Sequence, residues 1–140
     1  LLSTSSTSGT GRPAPLILVV DDQHENVELM AHVLESNGYR TIAANSGPQA
    51  LELLRTARPA AVLLDLLMPG MDGFEVMRRI RDNPDTARLP IMVITAMLVS
   101  DEERQRLDRQ AQCIFQKGTF WIEDLLKEVE RLVTLDGANS

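Results

Sequence analysis

The chain has 140 residues, with 14 Lys and Arg against 20 Asp and Glu, a formal net charge of −6, 44% hydrophobic residues and one cysteine. That is one domain's worth of chain with enough apolar residues for a core; aromatics make up only 4%, so Leu, Val, Ile, Ala and Met must fill it. The acidic balance excludes nucleic-acid binding through bulk charge. The lone Cys113 excludes an internal disulfide or a Cys-rich zinc site and fits a reducing, cytoplasmic setting. No apolar run approaches the roughly 20 residues of a membrane span.

Residues 3–11 are only Ser, Thr and Gly, followed by Arg-Pro-Ala-Pro. Such a composition buries too little surface to offset chain entropy, so 1–15 reads as a flexible linker or tail. Gly9, Gly11 and Ala14 match a dinucleotide fingerprint in letters, but they precede the first strand and run into prolines, so the motif lacks its context. The chain begins at Leu1 rather than Met, as a fragment or a processed chain would.

From residue 16 short apolar runs alternate with amphipathic segments. Leu16–Val20 is a continuous apolar run, suited to a strand buried on both faces. Val27, Met30, Ala31 and Leu34 recur at helical spacing, and Asn37-Gly38 stops that helix. Arg40–Ala44 is a weaker second strand. Ser46 N-caps a helix with Pro48 in its first turn, carrying Leu51, Leu54 and Ala57 up to the Arg58-Pro59 stop. Ala61–Leu64 is the third strand. Asp72 begins a helix with Val76, Met77 and Ile80 on one face, broken at Asn83-Pro84. Ile91–Thr95 is the fourth strand, Ser100–Gln110 a highly charged helix, Ala111–Gln116 the fifth strand, and Phe120–Leu135 the last helix. Five β-α units imply a parallel sheet covered on both faces, with right-handed crossovers. The predicted fold is α/β, a flavodoxin-like three-layer sandwich with a five-stranded sheet in order 2-1-3-4-5. Residues 16–135 form the domain and 136–140 a C-terminal tail.

In such sheets the functional site lies at the carboxyl ends of the strands. There the sequence places Asp21 and Asp22 after the first strand, Asp65 after the third, Thr95 at the end of the fourth and Lys117 after the fifth. A helix cap accounts for any one of these alone; the set is harder to dismiss. Clustered carboxylates raise one another's pKa unless a cation sits among them. Oxygen-only donors suit Mg²⁺, and no His or Cys stands nearby to suggest zinc. An aspartate can act as a nucleophile towards phosphorus, and the phosphoryl transition state needs a metal, a cation and hydrogen-bond donors. Mg²⁺, Lys117 and Thr95 would supply them, so the residues read as a Mg²⁺-dependent phosphoryl acceptor.

Val19-Val20-Asp21-Asp22, the run Leu64-Asp65-Leu66-Leu67-Met68-Pro69-Gly70-Met71-Asp72-Gly73, Ile94-Thr95-Ala96 and Lys117 together resemble the receiver domain of two-component response regulators. The resemblance covers about residues 16–135. It implies that Asp65 accepts a phosphoryl group from a phosphohistidine on a histidine kinase or phosphotransfer domain. It further implies that Asp21, Asp22, Asp65 and the backbone carbonyl of Leu67 bind Mg²⁺, and that Thr95 and Lys117 contact phosphoryl oxygens. The phosphoryl group then biases a two-state switch and is slowly lost to water. A surface for dimers or partners is implied over roughly 98–135; its charged stretch 101–110 reads equally as a specificity code or as a solvated face.

The chain departs from the family pattern in three respects. Ile114 stands where an aromatic residue usually lies three positions before the lysine; neighbouring Phe115 faces the other side of the strand and reads as packing. Gly118 replaces the usual proline after Lys117, and a trans Lys117–Gly118 bond is expected because a non-proline cis bond costs roughly 3 kcal/mol. That ending resembles receivers attached to hybrid sensor kinases. The resemblance implies that Leu67 and Met97 flank the path of the attacking water; two apolar side chains offer nothing to orient it, so the phospho-form should hydrolyse slowly.

His24 and His32 lack the spacing of paired ligands and read as helix-surface residues. Cys113 reads as a small hydrophobe, and Trp121 as either a core or a partner-facing residue. Two rival functions stay open: a pseudo-receiver acting only as a binding module, and a phosphatase of the haloacid-dehalogenase type. The second would need a D-x-D pair where this chain has Asp21-Asp22-Gln23, and room for a substrate cap. With no output domain after residue 135, the expected setting is a single-domain regulator, a hybrid-kinase receiver or a piece of a longer chain.

Overall fold

A computed structural model describes residues 14–118 and 122–138. The Ser/Thr/Gly segment, its nucleotide-like letters apart from Ala14, and Phe120 and Trp121 lie outside the described residues. Five strands alternate with five helices: β1 (Leu16–Val20), α1 (His24–Glu35), β2 (Arg40–Ala44), α2 (Gly47–Leu53), β3 (Ala61–Leu64), α3 (Gly73–Asp82), β4 (Ile91–Thr95), α4 (Asp101–Gln110), β5 (Cys113–Gln116) and α5 (Ile122–Ala138). The strands are all parallel and run β2-β1-β3-β4-β5, the predicted order.

The two-residue alternation of each strand divides the core between the faces. Leu18, Val20, Val62, Leu64, Ile91 and Val93 point to the side covered by α2, α3 and α4, where Val76, Met77, Ile80 and Leu107 meet them. Ile17, Val19, Leu63, Met92 and Ile94 point to the other side, covered by α1 and α5 through Leu34, Leu125 and Val129. β1, β3 and β4 are buried almost throughout, which is why they read as unbroken apolar runs. β2, at an edge, is buried only at Ala44, which is why its pattern is weaker.

The helix starts follow their sequence signals. Ser46 accepts a hydrogen bond from Gln49 N–H with Pro48 in the first turn, Asp72 accepts from Glu75 N–H, and Ser100 forms a reciprocal capping box with Glu103. Three boundaries differ from expectation. α2 stops at Leu53, and the chain leaves it through tighter turns in which Arg55 N–H bonds Glu52 and Thr56 N–H bonds Leu53; Leu54 still reaches the core. β5 starts at Cys113, because Ala111 N–H is taken by the Leu107 carbonyl as the end of α4. α5 continues to Ala138, so the predicted tail begins as helix. Among the described residues no helix is long and apolar enough to cross a membrane.

Candidate functional site

The sheet ladder runs one residue beyond β1, β3 and β5 and so fixes the site. Asp21 N–H donates to the Ala44 carbonyl at 3.1 Å, Asp65 N–H to Val20 at 3.0 Å and Lys117 N–H to Thr95 at 2.8 Å. Asp21, Asp65 and Lys117 thereby leave strand ends on one rim, the two acids beside the β1/β3 boundary where the strand order reverses and Lys117 two strands further on. Carboxylate oxygens of Asp21, Asp22 and Asp65 lie within 4.8 Å of one another. Asp21 and Asp65 are buried and Asp22 is exposed.

Lys117 spans the buried pair. Its Nζ is 2.9 Å from Asp21 Oδ2 and 3.3 Å from Asp65 Oδ2. The second oxygen of each acid accepts from the loop behind it: Asp21 Oδ1 from Gln23 N–H at 2.9 Å, and Asp65 Oδ1 from Leu67 N–H at 3.1 Å. Burial pushes the Asp65 carboxyl above its ordinary range; the Leu67 amide and the Lys117 charge pull against that without cancelling it, and Asp21 adds to the rise. For Lys117, burial pulls the ammonium down, but the hydrogen bond to Asp21 and the charges of Asp65 and Asp21 outweigh it and hold its pKa above the usual lysine value. Thr95 is buried, and its hydroxyl accepts from Met97 N–H at 3.2 Å. The structure thus gathers Asp21, Asp22, Asp65 and Lys117 into direct reach, with Thr95 on the next strand end.

Three carboxylates around one ammonium leave two negative charges uncompensated. That excess and the purely oxygen donor set fit a hard divalent cation. Asp21, Asp22 and Asp65 are the side chains that would hold it.

The departures from the family pattern have clear positions. Ile114 packs towards the α2-α3-α4 face and Phe115 towards α1 and α5, so the one aromatic residue of β5 lies on the far side of the sheet from the expected switch position. The Lys117–Gly118 peptide is trans, and Gly118 sits at φ +86°, where L residues are rarely found. The Leu67 side chain is 51% exposed, and Met97 is half-buried.

Other candidates take the bland reading. His24 and His32 are exposed, and His24 Nε2 lies 3.4 Å from Glu28 Oε1 on the same helix. Burial pushes the Cys113 thiol up to about 12, which keeps it protonated and unreactive. Sequence reasoning missed the role of Gly73. A Cβ built there would lie 2.5 Å from the Asp65 carbonyl oxygen and 2.7 Å from Leu66 Cα, so the start of α3 is seated directly against the chain leaving β3. The Asp72-Gly73 pair was readable only as a helix start; its contact with Asp65 is a tertiary fact.

Three aspartates and a lysine gathered at the strand ends of a doubly wound sheet define a class of site, and the comparisons give the family. Residues 17–130 match the family model described as the response regulator receiver domain. The response regulator PleD of Caulobacter vibrioides is 40% identical over 101 residues, 72% of this chain and 22% of PleD. The chemotaxis protein CheY4 of Vibrio cholerae superposes with a TM-score of 0.77 at 30% identity, covering 85% of this chain and 98% of that one. The receiver domain of the sensor histidine kinase PA1611 from Pseudomonas aeruginosa PAO1, solved with a magnesium ion in its active-site cleft, gives a TM-score of 0.77 at 27% identity, covering 86% and 98%. The chain belongs to the response regulator receiver domain family of two-component signalling. It spans about a fifth of PleD's length.

Proposed function

We propose that this receiver domain, residues 16–135, takes a phosphoryl group onto Asp65 from a phosphohistidine of a histidine kinase or phosphotransfer domain. The observation that carries this reading is the buried Asp65 carboxylate, held beside Asp21 and Asp22 and bridged by Lys117. A pure binding module needs no such arrangement, so the pseudo-receiver alternative has nothing specific in its favour.

In the transfer, an Asp65 carboxylate oxygen forms the new P–O bond as the P–N bond to the donor imidazole breaks, and the electron pair leaves on that nitrogen. Asp65 must be ionised to attack; Lys117 and the Leu67 amide oppose the burial that favours its protonated form. Once the phosphoryl group arrives, Lys117 is placed to pair with one of its oxygens, and Thr95 to donate its hydroxyl hydrogen to another. Mg²⁺ held by Asp21, Asp22, Asp65 and the Leu67 carbonyl would neutralise charge on the phosphoryl oxygens. Residues 98–135 are the proposed surface for dimers or partners.

Intact-mass measurement after exposure to a small-molecule phosphodonor tests this reading. One phosphoryl group should be gained by the wild type with Mg²⁺, and none without Mg²⁺ or by Asp65→Asn. A folded, Mg²⁺-binding wild type that gains nothing would reject it. Hydrolysis of the acyl phosphate needs a water in line with phosphorus. The Leu67 and Met97 side chains cannot position one, so the phospho-form should persist. Leu67→Asn combined with Met97→Glu should speed phosphate loss on the order of tenfold, followed as decay of the phosphorylated mass; an unchanged decay rate would sink the idea.

A further inference from the structure

Helix α4 is held unevenly along its length. Its one buried residue, Leu107, lies in the C-terminal half, and its last residue, Gln110, is gripped by Arg81 of α3. The Gln110 carbonyl accepts two hydrogen bonds from that guanidinium, from Nε at 3.0 Å and from Nη2 at 2.6 Å. Nη1 donates to the carbonyls of Ala87 at 3.1 Å and Leu89 at 2.7 Å, in the segment leading into β4. Nη2 also reaches Gln112 Oε1 at 3.5 Å, and the same oxygen accepts Ile91 N–H at 2.6 Å. Five donor contacts from one half-buried guanidinium therefore join the end of α3, the start of β4 and the junction of α4 with β5. All the acceptors are neutral oxygens, and hydrogen bonds from a charged donor are stronger than neutral ones.

Among the described residues the other end of α4 has no such clamp, although Met97 and Val99 ahead of it pack against the core. Asp101, Glu102, Arg104, Gln105 and Arg106 are exposed. The capping box joins Ser100 to Glu103, 3.0 Å and 3.1 Å apart in its two bonds, and travels with the helix because both partners belong to it. Arg106, mid-helix beside Leu107, lies over the Phe74 ring, 4.9 Å from its centroid. Leu98, just before the helix, is 83% exposed. The segment between this loose end and the site is short, running from Thr95 to Ser100. A ten-residue helix is about 15 Å long, so a tilt of about 10° about its C-terminal end would move the Ser100 end roughly 2.5 Å.

We propose that Arg81 is a positioning residue that fixes the C-terminal end of α4 as a pivot, so that changes at Thr95 move the N-terminal end of the helix and leave the Gln110 end in place. The pivot rests on the phosphoacceptor reading for its trigger. The clamp itself is a property of the resting molecule.

Residue-resolved amide hydrogen exchange on the full chain tests it, with intact mass confirming the phosphorylation state of each sample. Arg104 N–H bonds Ser100 O at 2.8 Å, Ala111 N–H bonds Leu107 O at 2.7 Å, and Gln112 N–H bonds Ile91 O at 2.8 Å, so they report on the two ends. On phosphorylation of the wild type, Arg104 exchange should change by at least about threefold, while Ala111 and Gln112 stay within about twofold. In resting Arg81→Met, which keeps the apolar stem, Ala111 and Gln112 should exchange about tenfold faster or more, with Arg81→Lys restoring part of the protection. A role in stability alone would raise exchange at Arg104 equally. The pivot is overturned if Ala111 responds to phosphorylation as strongly as Arg104, if neither responds, or if resting Arg81→Met leaves Ala111 protected. Should Arg81→Met fail to fold, the wild-type comparison decides alone. Absence of any mass gain would defeat the acceptor reading and the trigger with it, whereas a normal mass gain with the wrong exchange pattern would defeat only the pivot.

Discussion

Asp65→Asn should fold more stably than the wild type at neutral pH in the absence of Mg²⁺, by on the order of 1 kcal/mol. The carboxylate is buried, and burial is the largest influence on its proton affinity, raising it above the ordinary value of 3.8. A folded-state pKa above the unfolded one contributes stability that is fully present below the unfolded value and is lost as pH rises through the folded value. Asparagine does not titrate and escapes that loss. Lys117 is not stranded by the substitution, because Asp21 remains 2.9 Å away. Urea denaturation at several pH values checks this: the advantage of the variant should open as pH rises above 3.8 and vanish below it. Mg²⁺ should work in the opposite direction. Binding to the folded state stabilises it by mass action, and the wild type has the full set of acids, so added Mg²⁺ should narrow or reverse the gap. A variant no more stable than the wild type at neutral pH would mean that Lys117 and the Leu67 amide compensate the carboxylate completely.

Gly73→Ala should destabilise the fold by about 1–3 kcal/mol and slow phosphoryl acceptance. The added methyl would meet backbone, the Asp65 carbonyl at 2.5 Å and Leu66 Cα at 2.7 Å. Backbone in a central, buried strand cannot move aside cheaply, so α3 must lift or the end of β3 must shift, and either displaces Asp65 relative to Asp21 and Lys117. Gly47→Ala is the informative control. Its methyl would meet Met71 Sδ and Val76 Cγ2, both at 2.8 Å, which are side-chain ends; the methionine has rotamers to spare. The expected ranking in urea denaturation is Gly73→Ala well below Gly47→Ala, with a slower mass gain only for the former. Equal losses in the two variants would show that the close approach at Asp65 relaxes without consequence.

How much of this was legible beforehand follows from how local each cause is. β1, β3 and β4 are buried on both faces and announced themselves as unbroken apolar runs. The caps at Ser46, Asp72 and Ser100 depend on contacts three residues away and were readable for that reason. The acids and Lys117 were legible as a set because a parallel sheet brings equivalent strand ends together, a geometric rule that needs no coordinates. The end of α2 was misjudged because Leu54 keeps helical spacing while the backbone has already tightened into turns. The start of β5 was misjudged because Ala111 is apolar, yet its N–H belongs to α4. Arg81 was invisible: its partners are the Ala87 and Leu89 carbonyls just past its own helix and, across the fold, the Gln110 carbonyl and Gln112 side chain, and an arginine near the end of a charged helix looks like any solvated residue. That Lys117 engages Asp21 as well as Asp65 was equally beyond the pattern.

The bond from Lys117 to Asp21 joins residues 96 positions apart, and the one to Asp65 joins residues 52 apart. During synthesis, both acids of the first strand end and the acid of the third exist long before their counter-charge does. A nascent chain halted ahead of β5 would carry the whole acidic cluster with no ammonium to hold it together. On the proposed function, the counter-charge that readies Asp65 therefore comes only with β5, an edge strand of the sheet. On that reading a copy lacking β5 would be deaf to its donor, so the same contact that prepares the chemistry would also mark a finished sheet.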